Sequence, residues 1–446
     1  MKLWEKSYGI DQLIENFTVG QDRELDLYLA AYDVLGNMAH AHMLCEVGLL
    51  TADENKQLQK GLKALYKQAT DGSFIIEDGI EDVHSQVEML LTKTYGSAGK
   101  KIHTGRSRND QVLVDLRLYF RAEIEAIAKL TQQLFNTLLQ LAEKHQHQLM
   151  PGYTHMQTAM VSSFGLWFSA YAESLVDDLT QLQACHHIIN QNPLGSAAGY
   201  GSSFPLNRKR TTELLGFREL NYNAIHAQMG RGKSELFMSW SMAGIAHTLG
   251  KLAMDVCLYM GQNYGFIALP DELTTGSSIM PHKKNPDVFE LIRARCNQLL
   301  SLPTELSMMT SSLPAGYHRD FQLLKEALFP ALHNLKSCLS IADYALGQIR
   351  VQDDLLLDDK YKYLYTVEVV NDEVSKGIPF RDAYKKVAGQ IADGSFEPLR
   401  ELNHTHEGSI GNLCLPEIKA KMEAAFAKFQ FDRTHHHIQQ LLDMAG

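Results

Sequence analysis

The chain has 446 residues, 45% of them hydrophobic and 21% charged, enough to bury a sizeable core and far from the composition of a disordered chain. With 42 Lys and Arg against 52 Asp and Glu, the net charge is −10. That balance argues against non-specific binding to nucleic acid or to an anionic membrane surface, so any anionic ligand must meet local positive charge.

The N-terminus "MKLWEKSYGIDQL" has no apolar run or cleavage pattern, so no export signal is expected. Up to about residue 107, shorter helical patterns and the linker "DGSFIIEDG" suggest a first small helical domain. A long helical pattern follows. From Leu113, apolar residues fall at Leu116, Phe120, Ile124, Ile127, Leu130, Leu134, Leu138 and Leu141, in steps of three and four only. The pattern runs on to Met150, where Pro151-Gly152 is expected to stop it. A helix of about 40 residues spans about 60 Å and belongs in a bundle of similar helices.

Further helices are expected from about Met160 to Asn190, from Lys233 to Asn263, from Asn285, and from near Asp320. The apolar stretch Leu236–Met260 contains His247, Lys251 and Asp255, which fits a core helix and not a membrane span. Strand alternation is scarce. The expected fold class is mostly α: a central long-helix bundle over 108–350, flanked by helical domains at 1–107 and 351–446. The last contains the loop "NHTHEGSIGN".

Six scattered cysteines, with no CxxC, fit free thiols in a reducing compartment, and a cytoplasmic location is expected. Histidines cluster at His40/His42, His145/His147, His186/His187, His404/His406 and His435 to His437. None forms an HExxH or a second ligand pair at zinc-finger spacing, so neither a metal nor another cofactor is expected.

Chemistry gathers in three polar loops at helix ends. "HTGRSRNDQ" offers Ser107, Arg108 and Asn109, a planar fork and an amide suited to a carboxylate, though a basic surface turn would read the same way. "PGYTHMQTA" offers Thr154 and His155 just before an expected helix; a lone histidine there is more often structural. "TTGSSIMPHKKNPD" is the densest. Asn285 suits an N-cap, Pro286 the first helical position and Asp287 the first turn. The helix start and Lys283 and Lys284 then make an anion site, beside a mobile segment carrying Ser277. The bland alternative is a solvated helix start with surface lysines.

Together the three loops resemble the signature regions of the fumarase/aspartase superfamily, of which "GSSIMPxKxNP" is the most specific. Within it, "HTGRSRNDQV", "PGYTHMQ", "FPLNRKRTTELLGF" and "GIPFRDAYKKVAG" are similar to the argininosuccinate lyase family, over essentially the whole chain. The resemblance implies reversible C–N elimination from argininosuccinate to arginine and fumarate. It implies Ser277 as base, Lys283 and Asn285 holding the intermediate, and His155 in acid/base chemistry supported by Glu290. Substrate contacts are implied for Ser107, Arg108, Asn109 and Thr154, and for Tyr317, Gln322 and Lys325 of "GYHRDFQLLK". It also implies a homotetramer whose sites draw on several subunits. The chain departs from the family pattern at His282, where Gln is usual, and at Thr18, where Ser opens the segment ending in Asp22. It departs again in "EDVHSQVEML" around His84 and in "PLGSAAGYG". Another lyase of the superfamily, such as adenylosuccinate lyase, and a non-catalytic δ-crystallin-like protein are the rival readings.

Overall fold

The computed structural model describes residues 12–444, so most of the N-terminal stretch read for an export signal lies outside the described residues. Five long helices, Arg108–Lys144, Phe164–Ile189, Ala224–Met260, Asp287–Thr310 and Leu323–Leu346, make the bundle. Their apolar faces close one continuous core that includes Phe120, Phe135, Phe168, Leu249, Cys296 and Leu335. At about 1.5 Å per residue, the 37-residue Arg108–Lys144 helix is about 55 Å long and the 24-residue Asp287–Thr310 helix about 36 Å, so the two ends of the bundle lie tens of ångströms apart. Among the described residues, no helix is long and apolar enough to cross a membrane.

A second core joins the helices Ala30–Glu46, Ala52–Asp71 and Val83–Tyr95 to one face of the Arg108–Lys144 helix, through Met38, Leu58, Leu62, Val87, Val114 and Leu118. A third, small core holds Val370, Ala383, Val387 and Phe396. The later helices Leu415–Ala427 and Phe431–Asp443 turn back: Ile418, Met422 and Phe429 enter the bundle core, and Leu441 enters the second core.

The ends of the long helices are fixed locally. Ser107 and Asp110 form a capping box: Ser107 Oγ accepts from Asn109 N at 3.2 Å, and Asp110 Oδ1 accepts from Ser107 N at 2.9 Å. The other Asp110 oxygen accepts from the backbone of Gly195 and Ala197, docking the "PLGSAAGYG" loop on the helix start. The first long helix stops at Lys144, earlier than its apolar spacing suggests. Residues Leu149–Thr154 and Gln157–Ser163 then pair as an antiparallel hairpin, so Pro151-Gly152 lie in a strand and do not end the helix. The Ala224–Met260 helix breaks at Arg231 and Gly232. Gly232 is at φ +79°, and a Cβ there would meet Thr310 Cγ2 at 2.8 Å.

Candidate active site

The chain order of the helices sorts the loops to opposite ends. At one end, the start of the Arg108–Lys144 helix meets the connection 311–322 and the segments around Asp22 and Asp82, enclosing a cleft of roughly 170 Å³. It is lined by Arg108, Asn109, Tyr317, Gln322 and Lys325, five of the residues singled out in the sequence, and Ser107 lies beside it as the helix cap. Lys325 is buried between Asp26 at 2.5 Å and Asp22 at 2.7 Å. Burial pushes the Asp22 carboxyl up to about 6, although Lys325 pulls the other way. Gln322 Nε2 donates to the carbonyls of Thr18 and Val19, both at 3.0 Å. The Arg108 guanidinium is held by Glu81 at 3.0 Å, Asp82 at 3.2 Å and Ser85 Oγ at 2.8 Å. Its fork, expected to meet a substrate carboxylate, is thus engaged by the protein's own carboxylates.

His84 also lines this cleft and belongs to a buried acid–base cluster. His84 Nδ1 donates to Asp33 at 2.7 Å and stands 3.6 Å from Asp115. Burial alone would push the imidazolium pKa down. Asp33, Asp115 and Asp82 outweigh it and hold it up at about 9. Asp33, His84 and Asp115 present ligand atoms within 4.8 Å of one another, the geometry of a possible metal cluster. A protonated imidazole has no lone pair to give, so these residues make an ion-paired network and not a ready metal site. A histidine with a raised folded-state pKa contributes stability that is full below its unfolded value and is lost as pH rises through the folded one. His84 is therefore expected to contribute roughly 3 kcal/mol below pH 6.5 that fades by about pH 9. Melting temperatures across that window test this: His84→Gln should flatten the fall seen in the unsubstituted protein.

At the opposite end, Thr154 closes the first strand of the hairpin, and His155 and Met156 form its two-residue turn, at φ +52° and +60°. Thr154 and His155 are exposed. The hairpin root packs on the chain leading to the third loop: Tyr153 lies 5.7 Å from Tyr264 and 6.3 Å from Phe266, ring to ring. That loop is closed by a short antiparallel pairing of Thr275–Gly276 with Lys284–Asn285. Ser277 Oγ accepts from the backbone N–H of Ile279 at 3.3 Å and Met280 at 3.1 Å. Lys284 pairs with Asp271, whereas among the described residues the exposed Lys283 has no such acid beside it. The helix begins at Asp287 with Pro286 as its cap, so Asn285 is not the N-cap expected from sequence. It lies in the strand pairing and donates from Nδ2 to Thr275 Oγ1 at 3.3 Å. Glu290 sits in the first helical turn, exposed and 3.9 Å from Arg293, and no hydrogen bond or ion pair joins it to His155.

One chain thus gathers Ser107, Arg108, Asn109, Tyr317, Gln322 and Lys325 at one end, and Thr154, His155, Ser277, Lys283, Asn285 and Glu290 at the other. Asp26, Arg231 and Arg319 also line the cleft and were not singled out from sequence. Two signals were available. Asp22 and Asp26 are one helical turn apart, and Gly230 and Gly232 bracket Arg231 at the head of a helical pattern.

The family model described as Lyase matches residues 6–300. An argininosuccinate lyase of Bacteroides fragilis is 57% identical over 430 residues, covering 96% of this chain and 96% of that protein. One from Parabacteroides distasonis is 56% identical over 441 residues and 99% of each chain, and one from Stenotrophomonas maltophilia is 37% identical over 95% of this chain and 99% of its own. Among solved structures, EDDS lyase in complex with formate has a TM-score of 0.74 at 23% identity, covering 98% of this chain and 96% of that one. Class II fumarase of Schistosoma mansoni has a TM-score of 0.69 at 17% identity, over 95% and 96%. These two likenesses establish the shared long-helix fold, and the sequence relatives establish the family: the chain belongs to the argininosuccinate lyases of the fumarase/aspartase superfamily.

Proposed function

We infer that the chain catalyses the reversible elimination of argininosuccinate to L-arginine and fumarate, a step of arginine biosynthesis. The observation that carries this is the 56–57% identity to proteins of that name along nearly the whole chain. The cleft chemistry supports it. Carboxylates and cations line the cleft together, the two kinds of group that a substrate bearing both a guanidino group and carboxylates needs, although in this structure they pair with one another.

In the reaction, Ser277, deprotonated for the step, takes the proton from the carbon beside a succinyl carboxylate. The electron pair moves into that carboxylate, giving an aci-carboxylate dianion. Its collapse breaks the C–N bond and forms the fumarate double bond, and an acid delivers a proton to the departing guanidino nitrogen. His155 serves acid/base chemistry, with Glu290 as its support. Neither a serine nor this C–H is acidic in water, so stabilising the dianion is the main task. Lys283 and Asn285 carry it, and the exposed Ser277–Lys283 loop closes over the substrate and excludes water. Thr154, Ser107, Asn109, Tyr317, Gln322 and Lys325 hold the substrate.

Residues at opposite ends of a bundle, separated by about 36 Å or more of helix, serve one site only if different chains supply them. We therefore read the active form as a homotetramer. Exposed apolar side chains along the bundle, among them Met229, Trp240 and Met254 on one helix and Leu291 and Leu300 on another, support such assembly. Six unpaired cysteines fit a cytoplasmic location.

Fumarate absorbance on addition of argininosuccinate tests the reading. Turnover of argininosuccinate but not adenylosuccinate is expected. Activity on adenylosuccinate alone, or on neither, would overturn it. No metal enters these steps, so dialysis against EDTA is expected to leave turnover unchanged; loss of turnover restored by one specific divalent ion would contradict that.

A further inference from the structure

We propose that Asp33 is a positioning residue that sets the spacing between the two walls of the cleft. It lies on the Ala30–Glu46 helix, is fully buried, and does not line the cleft. Its two oxygens serve opposite walls. Oδ1 accepts from His84 Nδ1 at 2.7 Å. Oδ2 accepts from Asn37 Nδ2 at 2.8 Å, and Asn37 Oδ1 in turn accepts from Arg106 Nη1 at 2.5 Å.

The first branch fixes the segment 81–85. Val83 N on that segment also donates to Asp26 Oδ2 at 3.3 Å, and Asp82 Oδ1 accepts from Ser85 N at 2.8 Å. The second branch fixes the loop that ends in Ser107, Arg108 and Asn109. His40 Nε2 holds the same loop through the Thr104 carbonyl at 2.9 Å. Arg108 then spans the cleft from the second wall to Glu81, Asp82 and Ser85 on the first. One buried carboxylate is therefore the shared root of two hydrogen-bonded routes that meet again at Arg108.

Asn37 Nδ2 also donates to the Asp33 main-chain carbonyl at 2.9 Å, whereas His84 Nδ1 is held by the Asp33 side chain alone. The partners of Asp33 are largely buried, so a polar group deprived of its partner there is poorly compensated. Asp115 stands behind His84 on the Arg108–Lys144 helix, 3.6 Å from its Nδ1 and, among the described residues, with no hydrogen-bond partner of its own. Displacing Asp33 thus shifts both walls and with them the contacts expected for the amino-acid end of the substrate. The elimination chemistry resides at the other end of the bundle and, in the assembled enzyme, on other chains.

This inference rests on the proposed reaction, and wild-type turnover of argininosuccinate is measured first to decide that reading by itself. The test is then Asp33→Asn, with Asn37→Ala as a second variant that opens only the Arg106 branch. An amide at position 33 has one acceptor oxygen in place of two and no charge, so it cannot accept from both a protonated His84 and Asn37. For each correctly assembled variant, KM and kcat for argininosuccinate are measured, with L-arginine affinity by calorimetry. Asp33→Asn is expected to raise KM and the L-arginine Kd about tenfold or more, with kcat within about threefold. Asn37→Ala is expected to raise both about threefold or more, and the double variant to be no weaker than Asp33→Asn alone. Unchanged KM and Kd, or a fall in kcat with KM and Kd unmoved, as a merely structural role would give, would overturn the proposal. Should Asp33→Asn fail to assemble, Asn37→Ala decides on the same criteria.

Discussion

Lys283→Met is expected to lower kcat about a thousandfold and to leave the melting temperature nearly unchanged. The residue is exposed on the 277–283 loop, where its backbone N–H donates to the Met280 carbonyl at 3.0 Å, a bond the substitution keeps. Nothing in the fold therefore depends on its side chain. In the closed site proposed for the reaction, an ammonium about 4 Å from the developing negative charge would contribute about 4 kcal/mol at an effective dielectric near 20. That charge exists only along the reaction path, so the loss falls on kcat and not on KM. Its neighbour cannot take its place, because Lys284 is paired with Asp271 across the loop base. Lys284→Met is accordingly the control, expected to keep turnover within about threefold. Steady-state kinetics on assembled protein check both. Near-wild-type turnover in Lys283→Met would remove this residue from the chemistry.

How far the sequence reveals this molecule depends on the range of the interaction that decides each feature. The bundle is legible because a helix of three- and four-residue steps declares its buried face along its own length. Boundaries are less so. Leu149 and Met150 continue the apolar spacing past Leu141, yet the helix ends at Lys144 and they enter a strand. Periodicity cannot separate those outcomes over two residues. The hairpin turn is equally hidden: His155 and Met156 adopt positive φ with none of the Asn or Gly that usually marks such a turn. Asn285 has the chemistry of a cap, but it precedes a proline, which biases it toward extended backbone. The pairing with Thr275 then draws it into a strand.

The site divides in the same way. The three loops are local and can be read as motifs. The acid–base network at the cleft is not local: Lys325 meets Asp26 across 299 residues of chain, and His84 meets Asp33 across 51. No spacing rule brings such pairs together; the fold does.

The second large effect is a gain. Asn109→Ala and Ser277→Ala should each abolish most turnover, and a mixture of the two, dissociated and reassembled together, should regain it. Asn109 lines the cleft at one end of the bundle, and Ser277 lies on the loop at the other. Within one chain they are separated by the length of a bundle helix, about 36 Å for the 24-residue Asp287–Thr310 helix that runs between the two ends, too far to touch one substrate. If each site draws Asn109 from one chain and Ser277 from another, random assembly of equal amounts leaves about a quarter of the sites with both residues intact. Fumarate release from argininosuccinate by the reassembled mixture is therefore the most direct measurement of the central claim, that chains of this family complete one another's sites. Recovery of about a quarter of wild-type turnover is predicted. No recovery, in mixtures where hybrid tetramers are shown to form, would contradict it.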